Sequence, residues 1–158
     1  MPIIGGGNAT GPGELVAQEV TFTEVANTGG TYTATVTVPP LSWIFDIRVY
    51  GAVLWDSVTS ATLKVGDGVD DDGWYIGISV KATDLAAGEV LTFQSAGGKP
   101  GAYLNLTDGL RTKCWSTLER VIQGKITEVT TTGHTNGRTR MMVLYTTQAN
   151  ATVAPFVP

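Results

Sequence analysis

The chain has 158 residues, 42% of them hydrophobic and only 15% charged, with a formal net charge of −4. That length and composition fit one globular domain with a sizeable core, and they exclude a disordered chain, which pairs low hydrophobicity with high net charge. The acidic balance argues against nucleic acid, one Cys and one His exclude a disulfide framework or a structural zinc site, and no apolar run reaches the ~20 residues of a membrane helix.

Residues 1–18 carry Gly5, Gly6, Gly7, Gly11 and Gly13 with Pro2 and Pro12, and no strand or helix period. They read as an extended N-terminal arm, without the basic and apolar regions of a signal peptide. From Glu19 the period becomes 2. Val20, Phe22 and Glu24 share one face; after the turn at Asn27-Thr28-Gly29-Gly30, Tyr32, Ala34, Val36 and Val38 alternate with threonines until Pro39-Pro40 stops the strand. Trp43 to Tyr50 is a strongly apolar strand, and Ala61, Leu63 and Val65 line one face of another. Gly66 to Gly73 reads as a loop, and Trp74 to Val80 resumes strand character. Asp84 to Gly88 has the cap and stop of a single helical turn. Val90 to Phe93 and Ala102 to Leu106 are short strands. Leu118 to Val129 and Thr139 to Thr147 read as a long hairpin, with Asn136-Gly137 in its loop. Residues 150–158, with Pro155 and Pro158, read as an irregular tail. The expected architecture is all-β: one β-sandwich or jelly-roll-like domain over 19–149, with about eight or nine strands.

Few residues offer chemistry. Asp67, Asp70, Asp71 and Asp72 cluster between two strands, where adjacent carboxylates must be solvated, paired or metal-bound. Calcium takes such oxygens, but an EF-hand places Gly where this loop has Asp72, so the cluster reads either as a solvated turn or as a cation site. His134 falls in the expected hairpin loop, and Cys114 beside Trp115 reads as a buried apolar side chain; a Cys114–His134 dyad would need a third, orienting group. No nucleophile elbow or phosphate loop is present, so neither a catalytic residue nor a cofactor is assigned. Trp55 in Leu54-Trp55-Asp56-Ser57 lies between strands and is the candidate surface contact, with Trp74 a second aromatic for a glycan. Alternation puts Arg138 and Arg140 on one face, as acid-pairing groups or an ordinary polar surface. Ile3, Ile4, Leu15 and Val16 dot the arm with apolar side chains for a neighbouring subunit.

Leu54 to Asp67 with Asp70-Asp71-Asp72-Gly73-Trp74-Tyr75 resembles small virion proteins of tailed bacteriophages. So do Lys81-Ala82-Thr83-Asp84-Leu85, Gly98-Lys99-Pro100-Gly101-Ala102-Tyr103 and Gly137-Arg138-Thr139-Arg140-Met141-Met142-Val143-Leu144-Tyr145. The pattern, over roughly Tyr32 to Gln148, is similar to capsid decoration (cement) proteins. The resemblance implies a non-enzymatic β-rich subunit, often a homotrimer, made in the bacterial cytoplasm and seated on the outer surface of the virion. Its partners would be the major capsid protein and copies of itself. The alternative is a head-fibre, tail or baseplate module binding host glycan through Trp55 or Trp74.

Overall fold

The computed structural model describes residues 15–25, 29–81, 83–95, 99–105, 110–129 and 136–147. Eleven strands appear there: β1 (Leu15–Thr23), β2 (Gly30–Val38), β3 (Ser42–Val53), β4 (Ser60–Gly66), β5 (Tyr75–Ser79), β6 (Val90–Leu91), β7 (Leu104–Asn105), β8 (Leu110–Arg111), β9 (Trp115–Ser116), β10 (Arg120–Val129) and β11 (Arg138–Thr147). One sheet runs β1-β11-β3-β6, with β9 also paired to β3, and the other runs β2-β10-β4-β5. The short β7 and β8 pair with each other.

Every strand pairing is antiparallel, and the partners nest: β1 with β11, β2 with β10, β3 with β6, and β4 with β5. An antiparallel ribbon with those four rungs, rolled until β11 meets β3 and β10 meets β4, is a jelly roll. Rolling gives β3, β4, β10 and β11 a second partner, leaves β1, β2, β5 and β6 at the ends of the two sheets, and places the inward positions of all eight strands against one another. Phe22, Val36, Val38, Ile44, Ile47, Val49, Leu63, Val65, Ile78, Ile122, Ile126, Met141 and Val143 fill that space. The Thr alternation of β2 is the outer face of a half-buried strand, with Val36 and Val38 inside.

Three local expectations change, and two short strands are added. β1 begins at Leu15, so Leu15 to Gln18 belong to the sheet rather than the arm; they lie opposite Thr146 to Val143. β10 and β11 are not a hairpin. Each is flanked on both sides within its own sheet, β10 by β2 and β4 and β11 by β1 and β3, so the two lie in different sheets. Asp84 to Gly88 forms no helical turn: Asp84 Oδ2 accepts the Ser79 N–H at 2.7 Å, closing the turn after β5, and Gly88 donates to the Gly51 carbonyl at 2.8 Å along the edge of β3. Finally, β8 and β9 are two-residue strands, too short to show a period.

Candidate interaction face

The outer face of the β1 sheet divides into two halves. Leu15 lies opposite Thr146, Thr146 opposite Trp43, and Trp43 opposite Trp115. Directly opposed residues share a face, so these four form one row across the sheet. Leu15, Trp43 and Trp115 are 58%, 48% and 46% exposed, and Phe45 beside them is 49% exposed. Phe45 reaches this face through a β-bulge: Leu144 pairs with Asp46 and Tyr145 with Ile44, leaving Phe45 as the extra residue. The bulge keeps Ile44 and Ile47 both inward while Phe45 turns out. Exposed apolar patches recur at partner sites, and Trp is enriched among residues that dominate interface energy.

The other half is charged. Arg140 Nη1 lies 3.3 Å from Glu19 Oε1, the Tyr50 hydroxyl donates to Glu19, and the Arg140 guanidinium sits 5.9 Å from the Tyr50 ring centroid. Arg138 is exposed beyond them, opposite Thr23 and Val53. Arg138 and Arg140 therefore do share a face, and Arg140 does meet an acid. Exposed pairs of this sort contribute roughly 0–1 kcal/mol, so they add little to the stability of the fold.

The structure separates the other candidates. Leu15 joins the apolar row; Val16 points the opposite way and packs against the core. Trp55 is only 2% exposed. Its Nε1 donates to Thr139 Oγ1 at 3.0 Å, and the Tyr32 ring meets it edge-on at 4.9 Å. The segment after β3 folds back over the end of the sandwich, so a residue between strands became core. Trp74 is also buried, against Tyr103 and under the Arg120 guanidinium. Neither ring is placed to stack on a glycan. Ile3, Ile4 and His134 lie outside the described residues. Cys114 is buried, and burial pushes its thiol above the usual range, the reverse of what a nucleophile needs.

The acidic loop between β4 and β5 is tied down by protein cations. Lys64 Nζ lies 2.9 Å from Asp72 and 3.5 Å from Asp71, and Lys125 also pairs with Asp71. Asp67 works as a loop cap: its Oδ1 accepts from the Val69 N–H at 2.9 Å, the Asp70 N–H at 3.0 Å and the Tyr103 hydroxyl at 3.2 Å. Arg120 Nη2 lies 3.5 Å from its other oxygen. Burial alone would raise the Asp67 carboxyl, but those donors and Arg120 outweigh it and hold it below the ordinary range. Carboxylate oxygens of Asp70, Asp71 and Asp72 come within 4.8 Å of one another, yet Lys64 and Lys125 already supply the charge that a cation would bring.

Two features went unread in the sequence. The first is the apolar row; its signal was a strand, Trp43 to Tyr50, apolar on both faces. The second is Glu24 and Glu128, acids on inward positions at the ends of β1 and β10, buried beside Tyr32. Their signal was the alternation itself, which ends the row Val20, Phe22 with Glu24 and the row Ile122, Ile126 with Glu128.

The strand order and nesting define a jelly-roll fold with one sheet face that is half apolar. Among solved structures, the chain is similar to one from the capsid asymmetric unit of cyanophage Pam1, at 15% identity and a TM-score of 0.57, covering 93% of this chain and 94% of that one. It is also similar to chains of the acidic stable capsid of Helicobacter pylori bacteriophage KHP30 (13% identity, TM-score 0.48, 85% and 95% covered) and of the capsid of Ralstonia phage GP4 (13%, 0.48, 86% and 86%). No protein-family model and no curated protein matches the sequence. Among the described residues, no helix is long and apolar enough to cross a membrane.

Proposed function

We propose that this chain is a structural, non-enzymatic phage virion protein, a decoration subunit that binds the outer surface of the capsid and ties neighbouring capsomers together. The observation that carries the reading is the apolar row Leu15–Thr146–Trp43–Trp115 on a jelly roll similar, over nearly its whole length, to a chain of a phage capsid. The row lies where β1 begins, so the preceding arm, with Ile3 and Ile4, enters the domain beside it. The major capsid protein would cover the apolar half, and the arm would extend the contact to a second neighbour. Association with copies of itself, as a homotrimer, belongs to the same reading.

A subunit that binds the assembled lattice and not its separated parts stabilises the lattice by its binding free energy, through mass action. The decisive experiment is co-sedimentation with capsids lacking the protein. Trp43→Ser with Trp115→Ser lowers capsid affinity at least about tenfold while leaving the melting temperature near wild type, because truncating an aromatic hot spot costs about 2 kcal/mol or more. Unchanged decoration by that variant defeats the assignment of this face. Deleting Met1 to Glu14 leaves a folded domain that decorates poorly; normal decoration defeats the role of the arm.

The second reading, a fibre or tail module that binds host glycan, loses Trp55 and Trp74 to the core. It retains one favourable observation, the neighbouring exposed rings of Trp43 and Trp115. Saturable binding to host surface polysaccharide, abolished by the same double variant in the absence of capsids, would select it.

A further inference from the structure

The ladder along the edge of β3 has a gap. β9 pairs with β3 at Ser42 and Trp43, and β6 pairs with it at Tyr50 and Val49. Between those two short partners, side chains stand in for a strand. Arg111, on β8, donates from Nη1 to the Phe45 carbonyl at 3.4 Å. Asp46 Oδ1 accepts the Phe93 N–H at 2.8 Å. A cleft of about 220 Å³ opens over this gap, with Phe45, Asp46, Arg48, Phe93 and Arg111 in its walls.

The charges in the cleft do not cancel. Both oxygens of Asp46 are engaged, Oδ1 by the Phe93 N–H and Oδ2 by Arg48 Nε at 3.1 Å. Arg48 meets that acid through Nε, which leaves its two terminal nitrogens for a ligand. Among the described residues, no carboxylate pairs with Arg111. Its guanidinium lies over the buried Phe93 ring instead, 5.2 Å from the centroid. A guanidinium resting on a fixed ring is held in place before a ligand arrives, so less freedom is lost on binding. Two arginines against one aspartate leave the cleft with one positive charge in excess, on a chain whose net charge is −4. One carboxylate balances that excess. A phosphate group, at about −1.5 to −2 near neutral pH, would set surplus negative charge against Asp46.

We propose that this cleft seats a single carboxylate, an aspartate or glutamate side chain of a protein partner, with Arg111 and Arg48 as its donors. The planar fork of a guanidinium matches the two oxygens of a carboxylate. Phe45 belongs both to the cleft and to the exposed apolar group around Trp43 and Trp115. A partner laid on those rings would therefore set its acid into the cleft at the edge of the same contact; the choice of a protein as partner rests on the contact-face reading above. The two halves of such a contact do different work. Apolar burial supplies affinity with little direction, while an acid that must meet two guanidinium groups fixes the register of the partner and rejects surfaces that lack it.

The test begins on the wild-type full chain, where no variant has to fold. A blocked leucyl-glutamate dipeptide shifts the side-chain Nε–H NMR signals of Arg48 and Arg111 saturably, with a Kd of about 1–10 mM, and its glutaminyl counterpart leaves them in place. No saturable shift, or an equal shift with the glutaminyl peptide, overturns the proposal. Inorganic phosphate or glucuronate that binds more tightly than the dipeptide gives the cleft to another anion or to an acidic glycan, and overturns it as well. Co-sedimentation with capsids then separates the cleft from the contact-face reading. Arg111→Gln lowers capsid affinity at least about tenfold and flattens its salt dependence, with a melting temperature near wild type. If wild type and Arg111→Gln decorate equally, the role of the cleft is overturned while the contact face stands. If wild type ignores capsids yet binds the dipeptide selectively, the capsid reading fails and the carboxylate seat is supported.

Discussion

Replacing Trp55 by alanine tests whether this residue is core. Its ring is 2% exposed, lies edge-on to Tyr32, and approaches Gly137 so closely that a Cβ there would come within 2.8 Å of the indole. Truncating a buried Trp costs about 3–5 kcal/mol through lost transfer energy and the cavity left behind. The change also strips Thr139, which is fully buried, of the Nε1–H that its hydroxyl accepts, a further cost of about 1–3 kcal/mol. Set against a typical stability of about 5–15 kcal/mol, the sum leaves a marginal or unfolded domain. Urea denaturation followed by circular dichroism reads it directly. Trp55→Phe keeps most of the packing and isolates the hydrogen bond, at about 1–3 kcal/mol. Adding Thr139→Val to Trp55→Phe should recover part of that loss, since removing both partners is cheaper than orphaning one. A Trp55→Ala cost below about 1 kcal/mol would refute the core assignment and return this residue to the candidate contact surface.

Other predictions address the loop and the thiol. Asp67→Asn removes the charge partner of Arg120 and costs about 1–3 kcal/mol near neutral pH. Because Asp67 is held below the ordinary carboxyl range, its contribution is present above the unfolded value and lost as pH falls through the folded one, so the variant shows a shallower acid limb in thermal melts. Gly66→Ala would drive a Cβ to 2.0 Å from the Asp70 carbonyl oxygen, backbone that cannot step aside; a destabilisation of about 3 kcal/mol or more, or about 6–12 °C in melting temperature, follows. Cys114 reacts with an aromatic disulfide reagent at least about a hundredfold more slowly in the native protein than in urea, because it is buried and its thiol is raised.

Much of this fold could be read from the order of residues. Period 2 located the long strands within a few residues and chose their inward faces correctly in β1 and β2. What period 2 does not encode is the neighbour each strand takes. Arg120 to Val129 and Arg138 to Thr147, separated by a segment holding Asn-Gly, look like a hairpin by every local rule, yet they sit in different sheets. Gly137 is there for space rather than for a turn, since a side chain at that position would strike Glu24 and Trp55. Burial between strands was equally hidden: Trp55 is core because of where the β3–β4 connection travels, which no local pattern reports. The contact face was half legible. Trp43 and Phe45 lie on a strand that the sequence shows only as strongly apolar, so alternation did not mark them as outward. Leu15 and Trp115 join them only through the cross-strand register, from residues far away in sequence.

The nesting of the ribbon has a mechanical consequence. Leu15 at the start of β1 and Thr146 near the end of β11 are antiparallel partners, one strand spacing apart. A pulling force applied through the segments that flank these two strands would therefore act across the ladder rather than along it. It would open the β1–β11 pairing like a zipper, a rung at a time, instead of shearing all its rungs together. If the arm and the body are anchored to different neighbours, β1 is the element that yields first. The sandwich behind it, held by the β2–β10–β4 pairings, would remain closed while that strand peels.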